Sequence, residues 1–272
     1  MNLVVYDSAE RPARVLEELI ALFNYRDLVL ELVSRNIKVR YKRSVLGIVW
    51  TMLNPLMMMV VLTFVFSSLF GMALHNYPVY LLSGLLLWVF FAQVTVASMS
   101  ESVWGASLLK RIYVPRTVFV VSAVCTGTIN WILALVPLML IMFALKVPVG
   151  PALLLLPVAI LLTAMFAMGV GLLISILAVY FADVAEIYQV LLTAWMYFTP
   201  IIYPIEIIPA NYRWLFFLNP MFYLVEVFRT PIHLNSLPSV ESFILASFAA
   251  IVTLIAGWWF FARNADELVY RA

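Results

Sequence analysis

Five basic side chains crowd into one short stretch: Arg35, Lys38, Arg40, Lys42 and Arg43. A guanidinium presents a planar fork of donors and an ammonium a compact point charge, and both hold phosphate oxygens. Such a cluster has two uses. It can anchor a membrane protein to anionic headgroups, at about 1 kcal/mol per residue. It can also form a phosphate-recruiting rim at the inner mouth of a channel. A second constellation is aromatic. Eleven of the 34 residues from Trp195 to Phe228 are Phe, Tyr or Trp, among them Trp195, Phe198, Tyr203, Phe222 and Tyr223. Each ring offers an apolar face, with a polar tip on Tyr and Trp, so the C–H face of a sugar can slide over it while the hydroxyls stay at the rim. The same rings also serve as an interfacial belt. A third constellation is acidic. Asp183 and Glu186 are a close carboxylate pair beside an apolar run. A membrane enzyme needs clustered carboxylates or histidines at one face, and both histidines, His75 and His233, fall elsewhere and read as solvated loop residues. Nucleotide chemistry is excluded more firmly. None of the four lysines, Lys38, Lys42, Lys110 and Lys146, follows a glycine, so the phosphate loop G-x-x-x-x-G-K-[ST] is absent. If ATP powers this protein, a separate subunit binds it. The lone Cys125 rules out an internal disulfide and a Cys-rich metal site; it reads as a small buried hydrophobe.

These groups sit in a chain that is mostly bare of charge. No Lys, Arg, Asp or Glu occurs between Ser44 and Ser100, nor in Thr117–Leu145, Val147–Ala182, Ile187–Ile205 or Ser242–Ala262. Of 272 residues, 65% are hydrophobic and 11% charged, against about 25% charged in soluble domains. The mean hydropathy is +1.06. A bilayer core takes about 20 apolar residues per helix. The expected fold is therefore an all-α membrane protein with six transmembrane helices, near 45–70, 79–100, 118–144, 152–180, 187–205 and 242–262. The first 44 residues are too charged, and the first apolar run too long, for a cleavable signal peptide. Thirteen of the sixteen Lys and Arg fall in 1–44, 101–117, 181–186 and 263–272, which places both termini in the cytoplasm. Lys146, Arg213 and Arg229 are left outside. Glu101, at the inside end of the second span, reads with Asp183 and Glu186 as a solvated interfacial charge. The span centres carry no acid or base, which argues against an ion-coupled carrier.

The flanking segments divide the chain into a cytoplasmic part (1–44), a six-span domain (45–262) and a cytoplasmic tail (263–272). In the first part, Pro12 suits an opening helical turn, and Val15, Leu16, Leu19, Ile20 and Phe23 form an apolar stripe off which Arg14, Glu17 and Glu18 lie. That is an amphipathic helix for a membrane surface or a partner. Asp27 is placed to cap a second helix, along which Val29, Val33, Ile37 and Tyr41 repeat. Within 206–235, Asn219-Pro220 breaks an aromatic stretch and Glu226 interrupts it. A seventh span would put Arg263 and Arg271 outside, so two short re-entrant half-helices fit better, covered by protein or a water-filled cavity. In the fourth span Ala167, Gly171 and Ser175 recur every four residues, a pattern for close helix approach.

Five segments in order resemble one family. They are "RDLVLELVSRNIKVRYKRSVLGIVWTMLNPL" (Arg26–Leu56), "SLLKRIYVPR" (Ser107–Arg116), "YFADVAEI" (Tyr180–Ile187), "FTPIIYP" (Phe198–Pro204) and "NPMFYLVEVFR" (Asn219–Arg229). Together they resemble ABC-2 type permeases of the branch that exports cell-surface polysaccharides and polyol phosphates, such as O-antigen, capsule, teichoic acid and galactan. One departure is Ala182, where family members often carry Arg. The resemblance implies a transport subunit, not an enzyme, working as a homodimer with a channel between the copies, lined by the first and fifth spans. It implies two ATP-binding cassette subunits that hold the ATP and Mg²⁺, with no cofactor in this chain. Leu108, Lys110, Arg111, Tyr113 and Arg116 would meet the ATPase, with Asp183 and Glu186 as a second contact. Arg35–Arg43 would belong to a gate helix that meets a lipid-pyrophosphate-linked glycan, and Tyr212–Phe228 would form the outer gate. The implied location is the cytoplasmic membrane of a bacterium, with no nucleic acid among the partners. An ABC-2 permease for a drug or lipid is the near alternative; a membrane glycosyltransferase or a secondary carrier is more distant.

Overall fold

The computed structural model describes residues 14–42, 47, 49–70, 76–104, 114–181 and 183–271. Among them there are ten α-helices and no strand. Helix α1 is Arg14–Asn24, α2 Arg26–Tyr41, α3 Val49–Phe70, α4 Tyr77–Trp104 and α5 Thr117–Ala144. A 3₁₀ turn, Pro151–Leu155, leads into α6, Leu156–Tyr180. Then come α7 (Val184–Tyr197), α8 (Arg213–Phe217), α9 (Pro220–His233) and α10 (Val240–Arg271).

Among the described residues, four stretches are long and apolar enough to cross a membrane: Tyr77–Glu101, Thr117–Ala144, Pro151–Tyr180 and Val240–Asn264. In α3 the apolar stretch Met52–Phe66 is shorter. The fifth expected span differs most. Helix α7 stops at Tyr197, well before residue 205, because Pro200 biases Thr199 away from helical geometry and the chain reverses through 198–203. Its 14 residues rise about 21 Å, short of the roughly 30 Å hydrocarbon core. The break at Asn219-Pro220 appears as expected, with Asn219 capping α9 by accepting from the Met221 N–H at 3.1 Å.

Helix α4 is apolar on all sides, and every residue from Val79 to Trp88 is buried. A helix of that kind belongs at the centre; α3, α5, α6 and α9 pack around it. Helix α10 lies outermost and crosses α6 through two glycines. A Cβ at Gly169 would stand 2.4 Å from the Thr253 carbonyl oxygen, and one at Gly257 would stand 2.3 Å from the Gly169 carbonyl oxygen. The expected stripe of Ala167, Gly171 and Ser175 faces α4 instead, where a Cβ at Gly171 would meet Ser98 Oγ at 2.9 Å.

Two expectations are corrected. Asp27 does not cap α2: the helix starts at Arg26 behind Tyr25, and Asp27 sits exposed in the first turn, 3.9 Å from Arg26 Nε. Cys125 is exposed, on a stripe of α5 with Ile129, Ile132, Val136, Leu140 and Phe143 that faces away from the core. In an apolar helix, lipid-facing and core-facing sides carry the same residue types, so composition does not separate them. The stripe on α1 is exposed at Leu16, Ile20 and Phe23, as suits a surface-lying helix, while Leu22 packs toward Trp258 and Phe261. The Tyr41 side chain and His75 lie outside the described residues.

The glycine crossing generates a test. Gly169→Ala and Gly257→Ala push backbone against backbone and are expected to cost on the order of 1–3 kcal/mol each, as overpacking does. Gly171→Ala meets a movable Ser side chain and costs less. Thermal midpoints of the detergent-purified protein should rank in that order. Three midpoints equal to wild type would show that the crossing is not tight.

Candidate functional site

One end of the bundle is built around the basic helix. Val29, Leu32 and Val33 of α2 seat on Val118 and Phe119 in the first turn of α5. This leaves a 600 Å³ cavity between α2, α4 and α5. Its walls carry Arg35 and Arg40 from α2, Gln93 from α4, and Thr126 and Asn130 from α5. A second cavity shares Arg40, Gln93 and Asn130 and adds Trp50 and Asn54 of α3. Arg40 donates to Gln93 Oε1 at 3.3 Å. Arg35, Asn36, Val39 and Arg40 recur on one helical face, at i, i+1, i+4 and i+5, so the cluster is divided. Its arginines line the vestibule, whereas Lys38 and Lys42 are exposed and do not. Arg43 lies outside the described residues. Arginine forks at the mouth can hold phosphate oxygens in bidentate fashion. The neutral amides and the hydroxyl deeper in can exchange hydrogen bonds with a polar ligand and bury no charge.

The vestibule wall also corrects a reading. Glu101 is not a solvated interfacial charge. It is half-buried, with Oε1 accepting from Asn36 Nδ2 at 2.8 Å and Oε2 from Ser122 Oγ at 3.2 Å.

The other end is organised by the reversal after α7. Four consecutive carbonyls there have no helical donor, and side chains supply each one. Arg229 donates to Pro200 O at 2.9 Å and to Ile201 O at 3.1 Å. Tyr77 donates to Ile202 O at 2.8 Å, and Tyr80 to Tyr203 O at 3.0 Å. Arg229 is only 8% exposed and lies 3.8 Å over the Tyr80 ring, a cation–π contact strengthened by desolvation. Gly84 makes room for it, since a Cβ there would fall 2.2 Å from Nη2. Sequence reasoning missed this clamp. The available signal was a lone cation in an apolar, aromatic stretch, which in membrane proteins marks a partnered or functional group. His233 is not a solvated loop residue either: it is half-buried, edge-on to Tyr80 with 5.5 Å between ring centroids.

The expected aromatic path is found in pieces. Trp195 is wedged edge-on against Phe91 and Phe166, and its indole donates to Asn219 Oδ1 at 2.8 Å. Asn219 donates onward to Phe198 O at 3.2 Å and Thr199 Oγ1 at 2.9 Å. Phe198, part-exposed, stacks on Phe216 at 4.7 Å. Phe222 meets Phe217 and Tyr223 edge-on at 5.4 and 5.2 Å. The Tyr223 hydroxyl donates to Phe217 O, and that of Tyr203 to Tyr197 O. Phe222 also lines a 300 Å³ cavity with Tyr80, Glu206, Glu226, Arg229 and His233.

Of the expected ATPase contacts, Leu108, Lys110, Arg111 and Tyr113 lie outside the described residues, as does Ala182. Arg116 is 5% exposed, and burial pulls its guanidinium below the usual pKa. Asp183 and Glu186 are exposed at the start of α7, where the helix dipole favours negative charge. Among the described residues, no group of His, Cys, Asp or Glu is placed to hold a metal.

The model of the ABC-2 type transporter family matches residues 27–232, a stretch that holds the vestibule helix, the reversal and the Arg229 clamp. The chain belongs to the ABC-2 type transporter family. It is 30% identical over 250 residues to the O-antigen export system permease protein RfbA of Myxococcus xanthus, covering 90% of this chain and 95% of that one. It is 27% identical over 248 residues to the RfbA of Klebsiella pneumoniae, at 90% and 93% coverage. The Polysialic acid transport protein KpsM of Escherichia coli is 23% identical over 243 residues, at 86% and 92%.

In this ABC-2 chain, Arg229→Leu strands the Pro200 and Ile201 carbonyls, and a buried unsatisfied group costs about 1–3 kcal/mol. The variant should melt well below wild type. Arg229→Lys reaches one carbonyl at most and should recover only part of the loss. A leucine variant as stable as wild type would show that water, not Arg229, serves these carbonyls.

Proposed function

We propose that this chain is the membrane-spanning permease of an ABC exporter that moves a lipid-linked cell-surface polysaccharide or polyol phosphate outward across the cytoplasmic membrane of a bacterium. The carrying observation is the end-to-end likeness to O-antigen export permeases. The arginine-rimmed vestibule supports it, because the lipid carrier of such a substrate ends in phosphate. In this reading α3 and α7 join the four long helices as six spans. Both termini are cytoplasmic, and 206–235 re-enters the outer leaflet. Two copies form the channel. Arg35, Arg40 and Arg43 draw the pyrophosphate to the inner mouth, while Lys38 and Lys42 face anionic headgroups. Two ATP-binding cassette subunits supply ATP and Mg²⁺ chemistry. They dock on Leu108, Lys110, Arg111, Tyr113 and the flank at Arg116, with Asp183 and Glu186 beside them. Phe198, Tyr203, Phe222 and Tyr223 give the departing glycan apolar faces, and Trp195 holds that group in place from behind.

Two measurements test this reading. In cells that depend on this permease, Arg35→Glu with Arg40→Glu should cut export at least tenfold while the permease still assembles with its ATPase. Lys38→Glu with Lys42→Glu should matter much less. Equal effects from both pairs would reduce the cluster to a membrane anchor.

Sidedness is tested by single cysteines placed after Cys125 is replaced. Cysteines at Asn211 and Asn235 should react with an impermeant thiol reagent added outside, and one at Asn264 should not. Labelling at 264 from outside would mean that 206–235 crosses the membrane.

A further inference from the structure

Helices α4 and α5 are consecutive in the chain, so a push delivered between them reaches the membrane through the last turns of α4 and the first turns of α5. Those turns are where the two N-terminal helices are tied down. On the α5 side, Thr117 Oγ1 donates to Glu18 Oε2 of α1 at 2.9 Å, and Val118 and Phe119 seat the apolar face of α2. On the α4 side, Asn36 of α2 donates to Glu101. Glu101 also accepts from Ser122 of α5, so one carboxylate joins three helices with both of its oxygens engaged.

The chemistry of this node is unusual for its place. A half-buried carboxylate whose hydrogen-bond partners are neutral is costly to desolvate, a cost that the nearby Arg35 charge offsets in part, and apolar residues of similar volume would hold the helices at least as well. A hydrogen bond differs from an apolar contact in being directional and in being exchangeable for water, which the adjoining 600 Å³ cavity can supply. Asn36 adjoins Arg35 and shares its helical face with Arg40, the two arginines that rim the vestibule. Moving Asn36 therefore moves both of them.

We propose that Glu101 is a positioning residue for transport. Its hydrogen bond to Asn36 transmits displacement of the adjoining ends of α4 and α5 to α2, so that the vestibule arginines change position in step with the ATPase. The Thr117–Glu18 bond keeps α1 moving with the other flank. This inference rests on the exporter reading, in which the segment between α4 and α5 meets the ATPase.

The test compares permease–ATPase complexes in cells and in purified form, measuring export, assembly and ATP turnover together. Asn36→Leu removes the donor and keeps similar bulk. It should cut export about tenfold while assembly and ATP turnover persist, so that ATP consumed per polymer exported rises by the same factor. Asn36→Asp combined with Glu101→Gln rebuilds the pair with donor and acceptor exchanged, and should return export to within about twofold of wild type. Export at the wild-type level in Asn36→Leu would overturn the proposal. So would export and ATP turnover falling in proportion, which is the mark of a merely structural contact, or failure of the exchanged pair to restore export. A wild-type complex with no ATP-dependent export would overturn the exporter reading and this role together.

Discussion

The end of this molecule that holds the reversal depends on one constraint: backbone carbonyls cannot be left bare in apolar surroundings. Helix α7 stops early and the chain turns back on itself, which strips four carbonyls of helical donors. Arg229, Tyr77 and Tyr80 replace those donors. Much else follows from that substitution. Position 84 must be glycine to admit the guanidinium. Helix α9 must lie close enough to α4 for Arg229 to reach Tyr80. Asn219 completes the arrangement from the other side by joining the end of α7 to the start of α9.

The two ends of the bundle are built differently. The reversal is held by hydrogen bonds from Arg229, Tyr77 and Tyr80 that converge on four consecutive carbonyls, so displacing one of these elements strands donors or acceptors on the others. The opposite end is held by the apolar seat of α2 on α5 and by polar contacts that border an open cavity. A structure of this kind is stiff at one end and yielding at the other. The yielding end carries Arg35 and Arg40.

Much of this was legible in the sequence, for reasons that can be named. The charge-free runs located α4, α5, α6 and α10 within a few residues, because charge is what a bilayer excludes. Asn219-Pro220 marked its break because a cap and a missing N–H act locally. Arg35 and Arg40 were legible as phosphate-binding types, but the face they turn to the cavity was not, since it depends on where Val29 and Val33 seat. Glu101 and Arg229 were misjudged for a common reason. Their hydrogen-bond partners lie 21 and 65 residues away for Glu101, and 28 and 29 for Arg229, and no spacing rule reaches that far. Cys125 failed differently: hydropathy marks a membrane helix but does not say which side meets lipid.

The shortness of α7 has a consequence for the bilayer itself. A 14-residue helix beside full-length neighbours creates a hydrophobic mismatch of several ångströms. Lipid answers such a mismatch by thinning locally, at fractions of a kcal/mol per ångström. If α7 spans the bilayer, as the proposed function has it, a hydrophilic polymer leaving past it would meet a thinner dielectric slab than the bulk membrane presents. In that arrangement the reversal would shorten the insulating path as well as shape its exit.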